Sequence, residues 1–347
     1  MPTKSDPLPR CVLIARFSAL GDVAISIPVI YSMCSANPHT RFVMITRPFM
    51  AQAFVECPPN LMVLGIDLKK DYKGLTGMWR LAGKLRHDYG IDAVADLHSV
   101  MRTWVIDLSM WLHGAKVKRI NKGHGEKRAL VGGKIRHQLS TSHERYTAVF
   151  NKLGFHCQDT FAGYKQLKHT TVVPPKEAGY RWIAIAPFSQ HRGKEYPLSL
   201  IEQVIAPLSK MPRVKIFLMG GGDKEKQALL KLALAHENTI SLASIDHDFD
   251  DEFAIMSQCE VMVSMDSANM HLASLVGLPV VSVWGATHPY CGFMGWHQSP
   301  DNAIALDLPC RPCSVFGQKP CRHGDYHCLT GIKPETIVAK VKEFLHD

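Results

Sequence analysis

No run of about 18 or more uncharged apolar residues occurs in this chain, so no segment reads as a bilayer-spanning helix. A clean leader is missing too. Met1–Arg10 is polar and Pro-rich and Arg16 breaks the apolar run behind it, so no secretory signal is expected. Two nucleotide signatures are absent: no G-x-G-x-x-G opens a first βα turn, and there is no G-x-x-x-x-G-K-[ST] loop. Nicotinamide-dependent and nucleotide-hydrolysing chemistry therefore recede. Acids are scarce beside bases, 31 against 40, and there is neither a short-period repeat nor a low-complexity tract. The expectation is a cytoplasmic globular protein that meets anions.

What is present is enough for two cores: 347 residues, 46% hydrophobic and 20% charged. Strand candidates Cys11–Ala15, Arg41–Thr46, Leu61–Ile66 and Ala93–Asp96 alternate with helical stretches such as Thr76–Tyr89 and Thr103–His113. The pattern restarts at Trp182–Ala186, Val214–Met219, Thr239–Leu242, Val261–Ser264 and Val280–Trp284. Such alternation predicts βαβ units and two doubly wound parallel sheets. The Lys165–Tyr180 stretch, with Pro174-Pro175, reads as the linker, giving domains 1–168 and 169–347. The closing helix, 334–345, is placed as one that can return to the N-terminal domain. Pro28 falls inside the first helix and predicts a kink or a late start.

Chemistry gathers at strand ends, where open parallel sheets bind ligands. Ser18-Ala19-Leu20-Gly21-Asp22 leaves a carboxylate where a small-residue turn enters a helix. Asp22 suits a general base, or else only complements the helix dipole. Ser189 to Pro197 supplies a hydroxyl and the cations Arg192 and Lys194, fit for a diphosphate. Gly220-Gly221-Gly222 permits close approach to a nucleotide, with acids just beyond to take ribose hydroxyls. Asp266-Ser267-Ala268-Asn269-Met270-His271 opens a helix whose free N–H groups suit a phosphate, or whose first residues simply cap it. The turn Gly285–Pro289 lies at the same edge. Asp246 to Glu252 reads as helix-capping acid rather than a metal site.

Eight basic residues and one acid lie between Lys116 and Arg136, for which phosphorylated substrates, an anionic membrane surface and nucleic acid are the candidate partners. Six of the ten cysteines are scattered singly and read as reduced, small hydrophobes. The other four, Cys310-x2-Cys313-x7-Cys321-x6-Cys328, have the look of a structural zinc or iron–sulfur knuckle with four thiolate ligands; disulfides or free thiols are the alternative.

Taken together, Ser18–Asp22, Lys194-x-Tyr196-Pro197, the Gly-rich turn ending at Glu225, Asp266-Ser267-x-x-Met270-His271 and Gly285-x-Thr287-x-Pro289 resemble glycosyltransferase family 9 over nearly the whole chain. Ala268 stands where members often have glycine, and His288 where they often have an acid. The loop before Lys194 also lacks the family's usual Pro-Gly form. The resemblance implies a GT-B fold, two Rossmann-like domains facing across a cleft, and inverting, metal-independent transfer of heptose from an ADP-heptose-type donor. The acceptor would be a phosphorylated, lipid-linked inner core at the cytoplasmic membrane face. Asp22 would be the base and Lys194 the counter-charge for the departing diphosphate. Ser189, Glu225, Asp266, Ser267, Ala268, His271 and Thr287 would bind the donor. Ser18, Gly21, Arg119, Lys122 and Arg128 would meet the acceptor. No cofactor is implied for catalysis, and zinc in the Cys segment would be structural. A nucleotide-sugar epimerase, a transferase of another sugar, or a metal-knuckle nucleic-acid binder are the rival readings.

Overall fold

A computed structural model of the chain describes residues 7–345; the first six residues, part of the polar segment read above, lie outside them. The chain divides into two compact units. The first runs to Lys122 and takes in Ser142–Ala162; the second holds Gly123–Thr141 and everything from Gly163. The break thus falls six residues before the one expected at 168/169, and a piece of the basic stretch goes with the second unit.

In the first unit the order is β1 (Cys11–Ala15), α1 (Leu20–Ala36), β2 (Arg41–Thr46), α2 (Pro48–Ala51), β3 (Leu61–Gly65), α3 (Gly74–Tyr89), β4 (Ala93–Asp96), α4 (Met101–Leu112) and β5 (Lys116–Arg119). Next come α5 (His124–Val131), which belongs to the second unit, and α6 (Ser142–Asn151). The sheet is wholly parallel in the order β3-β2-β1-β4-β5. Strands β1, β2 and β4 are buried on both faces, as their near-continuous apolar runs require. Val43, Ile45, Met78, Leu81, Leu85, Val94, Ile106 and Met110 form much of the core on one side.

The second unit comprises β6 (Arg181–Ala186), α7 (Leu198–Ser209), β7 (Val214–Leu218), α8 (Asp223–Ala235), β8 (Thr239–Ser241), α9 (Phe249–Met256), β9 (Val261–Met265), α10 (Ala268–Leu275), β10 (Val280–Val283), β11 (Ala303–Ile304), α11 (His327–Thr330) and α12 (Pro334–Lys342). Its six strands are parallel, in the order β11-β10-β9-β6-β7-β8. Ile337, Val338 and Val341 of α12 sit in the core of this same unit with Ile201, Val204 and Val263. The apolar stripe of the closing helix is thus used in the core of its own unit. The α1 helix starts at Leu20 and continues past Pro28 to Ala36 with no late start, because burial of Val23 to Cys34 outweighs one missing backbone bond. Among the described residues no helix is long and apolar enough to cross a membrane.

Strand order decides where ligands go. In each sheet the chain lays strands to one side of a central strand, then returns to build the other side. The switch points lie between β1 and β4 and between β6 and β9. Crevices beyond the C-terminal ends of those strands are where such sheets bind.

Candidate active site

At the first switch point Asp22 stands in the first turn of α1. Its Oδ2 accepts from the Ala19 N–H at 3.3 Å and meets Arg16 Nη2 at 2.5 Å. Arg16 leaves the end of β1 buried, donates to the Leu97 carbonyl and lies 5.6 Å from the Tyr146 ring centre. Burial opposes the Arg16 charge, but Tyr146 and Asp22 outweigh it and its pKa ends above the usual arginine value. The Arg16 guanidinium 2.5 Å away holds the Asp22 carboxylate in orientation. The sequence showed Arg16 only as an interruption of an apolar run.

His98, at the end of β4, belongs to no motif in the sequence. Asp96 Oδ1 accepts from the His98 and Ser99 N–H groups at 2.9 and 2.8 Å, which turns the chain sharply after the strand. His98 Nδ1 faces the Phe17 N–H at 3.4 Å, so the ring proton belongs on Nε2, which donates to Ser18 Oγ at 3.1 Å. Burial, then Arg16, pushes the His98 pKa down to about 3, so the imidazole is a neutral donor at physiological pH. Lys122 is half-buried and gives Nζ to the Ser99 carbonyl at 3.1 Å. Its pKa is lowered by burial and by Arg16. Ser18, Gly21, Asp22, His98 and Lys122 thus belong to one edge.

The remaining expected acceptor cations fall in different units. Arg119 on β5 pairs with buried Asp107 of α4 at 2.5 Å, while Arg128 is exposed on α5 of the second unit. Asp107 is pushed up to about 7, by burial first and by Asp96 next. A carboxyl whose pKa is raised on folding binds its proton more tightly in the folded state. The stability it contributes is full below about pH 4 and is lost as pH rises through about 7. Asp107→Asn is therefore expected to gain on the wild type steadily across that window in urea melts. A difference that stays flat with pH would contradict the assignment.

At the second switch point, Lys194 ends a 3-10 turn in the loop after β6, and its Nζ lies 3.1 Å from Asp266 Oδ2 at the end of β9. Thr287, fully buried, donates to the same oxygen at 2.8 Å. One ion pair therefore ties the loops after β6, β9 and β10 together, and leaves the ammonium two further donors. Neither Asp266 nor Ser267 caps α10: no side chain does so, and Ser267 Oγ turns to Ser264 Oγ at 3.3 Å. The first N–H groups of that helix, at Ala268 and Asn269, remain oriented for an anion. His271 is buried one turn in, and Ser189 is half-buried in the loop after β6. Glu225 folds back on the glycine turn, where Oε2 accepts from the Gly221 N–H at 2.8 Å.

Behind this edge stands Arg311, a residue that no motif pointed to. Its guanidinium is buried and donates to the carbonyls of Gly285, Trp284, Thr287 and Leu306. That clamp fixes the turn carrying Thr287. Gly193 gives its N–H to the Gly317 carbonyl, and its own carbonyl takes the Ala286 N–H at 2.7 Å. Gly317 has φ of 76°, and a Cβ there would come within 2.5 Å of Lys194 Cγ. The Cys-rich segment is thus a brace for the Lys194 loop.

Its four thiols, Cys310, Cys313, Cys321 and Cys328, line one cavity of about 400 Å³ with Arg311 and Tyr326. All are free, and among the described residues no three His, Cys, Asp or Glu side chains are placed to share a metal ion. The acids from Asp246 to Glu252 are used structurally: Asp248 caps α9, Glu252 takes His247, Asp250 takes Lys168 and Asp251 takes Thr170.

Two wholly parallel α/β units are the architecture of the GT-B type of fold. A structure from Veillonella parvula described as glycosyl transferase family 9 superposes with a TM-score of 0.72 at 17% identity, covering 97% of both chains. E. coli heptosyltransferase WaaC with ADP gives 0.64 at 17%, covering 96% of this chain and 99% of that one. The lipopolysaccharide core heptosyltransferase OpsX of Haemophilus influenzae is 22% identical over 81% of this chain and 80% of its own. A model of glycosyltransferase family 9 (heptosyltransferase) matches residues 132–327, more than half of the sequence, and the chain belongs to that family.

Proposed function

We propose that this protein transfers a heptose, with inversion, from an ADP-heptose-type donor to a phosphorylated, lipid-linked inner-core acceptor at the cytoplasmic face of the membrane. The observation that carries the reading is Lys194 paired with Asp266 beside the uncapped start of α10. A cation and a row of N–H groups at one switch point suit a nucleoside diphosphate that gains charge as it leaves. The sugar and the acceptor class are taken from relatives described as a lipopolysaccharide core heptosyltransferase and a heptosyltransferase with ADP.

In the reaction the acceptor hydroxyl oxygen attacks the anomeric carbon, and the bond from that carbon to the diphosphate oxygen breaks. Asp22 takes the hydroxyl proton while Arg16 holds the carboxylate in place. Ser18 and Gly21 border the acceptor, with Lys122 against its phosphate and Arg119 and Arg128 as further cations for it. Lys194 and the N–H groups of Ala268 and Asn269 receive the diphosphate. Glu225 takes the ribose, with Ser189 and His271 completing the donor contacts and Thr287 orienting Asp266. Catalysis is read as needing no metal, because Lys194 and the helix start already supply the positive field.

The test is incubation with a panel of nucleotide sugars and truncated lipid acceptors, followed by mass spectrometry. One heptose added to the lipid acceptor, from the ADP donor alone, is the expected product. Interconversion of the nucleotide sugar without transfer would replace this reading by an epimerase.

A further inference from the structure

The α4 helix is apolar on both faces. Thr103, Ile106, Asp107 and Met110 point into the first unit, as an amphipathic helix should. Its other face carries Met101, Trp104, Leu108, Trp111 and Leu112, all exposed, with Met101 at 64% and Trp111 at 61%. Those positions recur at three- and four-residue steps, so they form one stripe along the helix. The only acid on α4, Asp107, is buried. Around the stripe lie exposed Arg102 on the same helix and Lys116 and Lys118 on edge strand β5. Trp111 also walls an open groove of about 980 Å³ with Lys116, Lys118, Lys152 and His156. An apolar stripe with none of the described residues packed over it marks an interaction surface.

We propose that this face seats the protein on an anionic lipid bilayer. Exposed indoles beside lysine and arginine suit the headgroup boundary, where the rings lie among the upper acyl chains and the cations meet lipid phosphates. Charge selects this occupant over a second copy of the chain, since two such cationic faces would repel. Position supports it as well. The α4 helix begins at the acceptor edge, where Trp104 Nε1 donates to Ser99 Oγ at 3.2 Å, next to His98 and Ser18. A bilayer against α4 would bring a lipid-linked acceptor to that edge, so the inference deepens the proposed function and rests on it for the nature of the acceptor.

The experiment compares the full chain with the double variant Leu108→Gln/Trp111→Gln, neither position being part of the sugar-transfer edge. Co-sedimentation uses vesicles of phosphatidylethanolamine with phosphatidylglycerol, and vesicles of phosphatidylcholine alone. The wild type is expected to bind the anionic vesicles. The variant is expected to bind them at least tenfold more weakly, with unchanged thermal melting and turnover within twofold on an acceptor stripped of its acyl chains. Quenching of tryptophan fluorescence by brominated lipid, lost in the variant, would support the same contact. Equal vesicle binding by the two proteins would overturn the proposal. A wild-type dimer in sedimentation that the variant converts to monomer would also overturn it, assigning the face to a second copy. Vesicle binding that depends on the face, without sugar transfer to any lipid acceptor, would uphold the docking surface and reject the proposed function.

Discussion

Asp22→Asn is expected to cut turnover by about 10³-fold while donor affinity stays within twofold, because a positioned general base contributes on that scale. Asparagine preserves the shape and the contact with the Ala19 N–H but cannot take a proton. Arg16, 8% exposed in its side chain, would lose its anionic partner. Asp22 itself is 32% exposed, so solvent offsets part of the loss, but a buried guanidinium without its carboxylate still lowers stability and thermal melting must accompany the kinetics. Asp22→Glu keeps a carboxylate within reach and is expected to recover part of the rate. Unchanged donor affinity by calorimetry together with near-normal turnover in Asp22→Asn would remove Asp22 from the mechanism.

The second large effect falls on Lys194. Lys194→Met is expected to lower kcat/KM by about 10²–10³-fold, the usual consequence of deleting one stabiliser of developing negative charge. It also strands Asp266, whose side chain is only 3% exposed, and so is expected to lower stability by about 3 kcal/mol. The double variant Lys194→Met/Asp266→Asn separates the two roles. Neutralising Asp266 relieves the stranded charge, so stability is expected to return largely while transfer stays low. Recovery of activity along with stability would mean that the pair only holds the loops together.

Much of the scaffold was legible because burial on both faces writes parallel strands as apolar runs. Cys11–Ala15, Arg41–Thr46 and Ala93–Asp96 fall where the sequence places them, and Trp182–Ala186 is short by one residue. The edge strand β5, Lys-Val-Lys-Arg, was not legible: a solvated edge needs no apolar pattern, and its residues stood out only as part of a basic stretch. Motifs local in sequence, from Ser18 to Asp22 and from Asp266 to His271, carried most of the edge residues. What they could not carry are partners set by topology. His98 meets Ser18 from 80 residues away because β4 lies beside β1, and Arg311 reaches Gly285 across 26. Only strand order brings such groups together. The capping of α10 that local preference allowed does not occur, because Asp266 is drawn to Lys194 and Thr287.

The most direct measurement is a crystal structure with an acceptor fragment and an unreactive analogue of the donor bound together. The account predicts the attacking hydroxyl oxygen within hydrogen-bond distance of an Asp22 carboxylate oxygen, and the diphosphate on Lys194 Nζ and the first N–H groups of α10. A hydroxyl held by any other base, or a diphosphate bound away from Lys194, would contradict it.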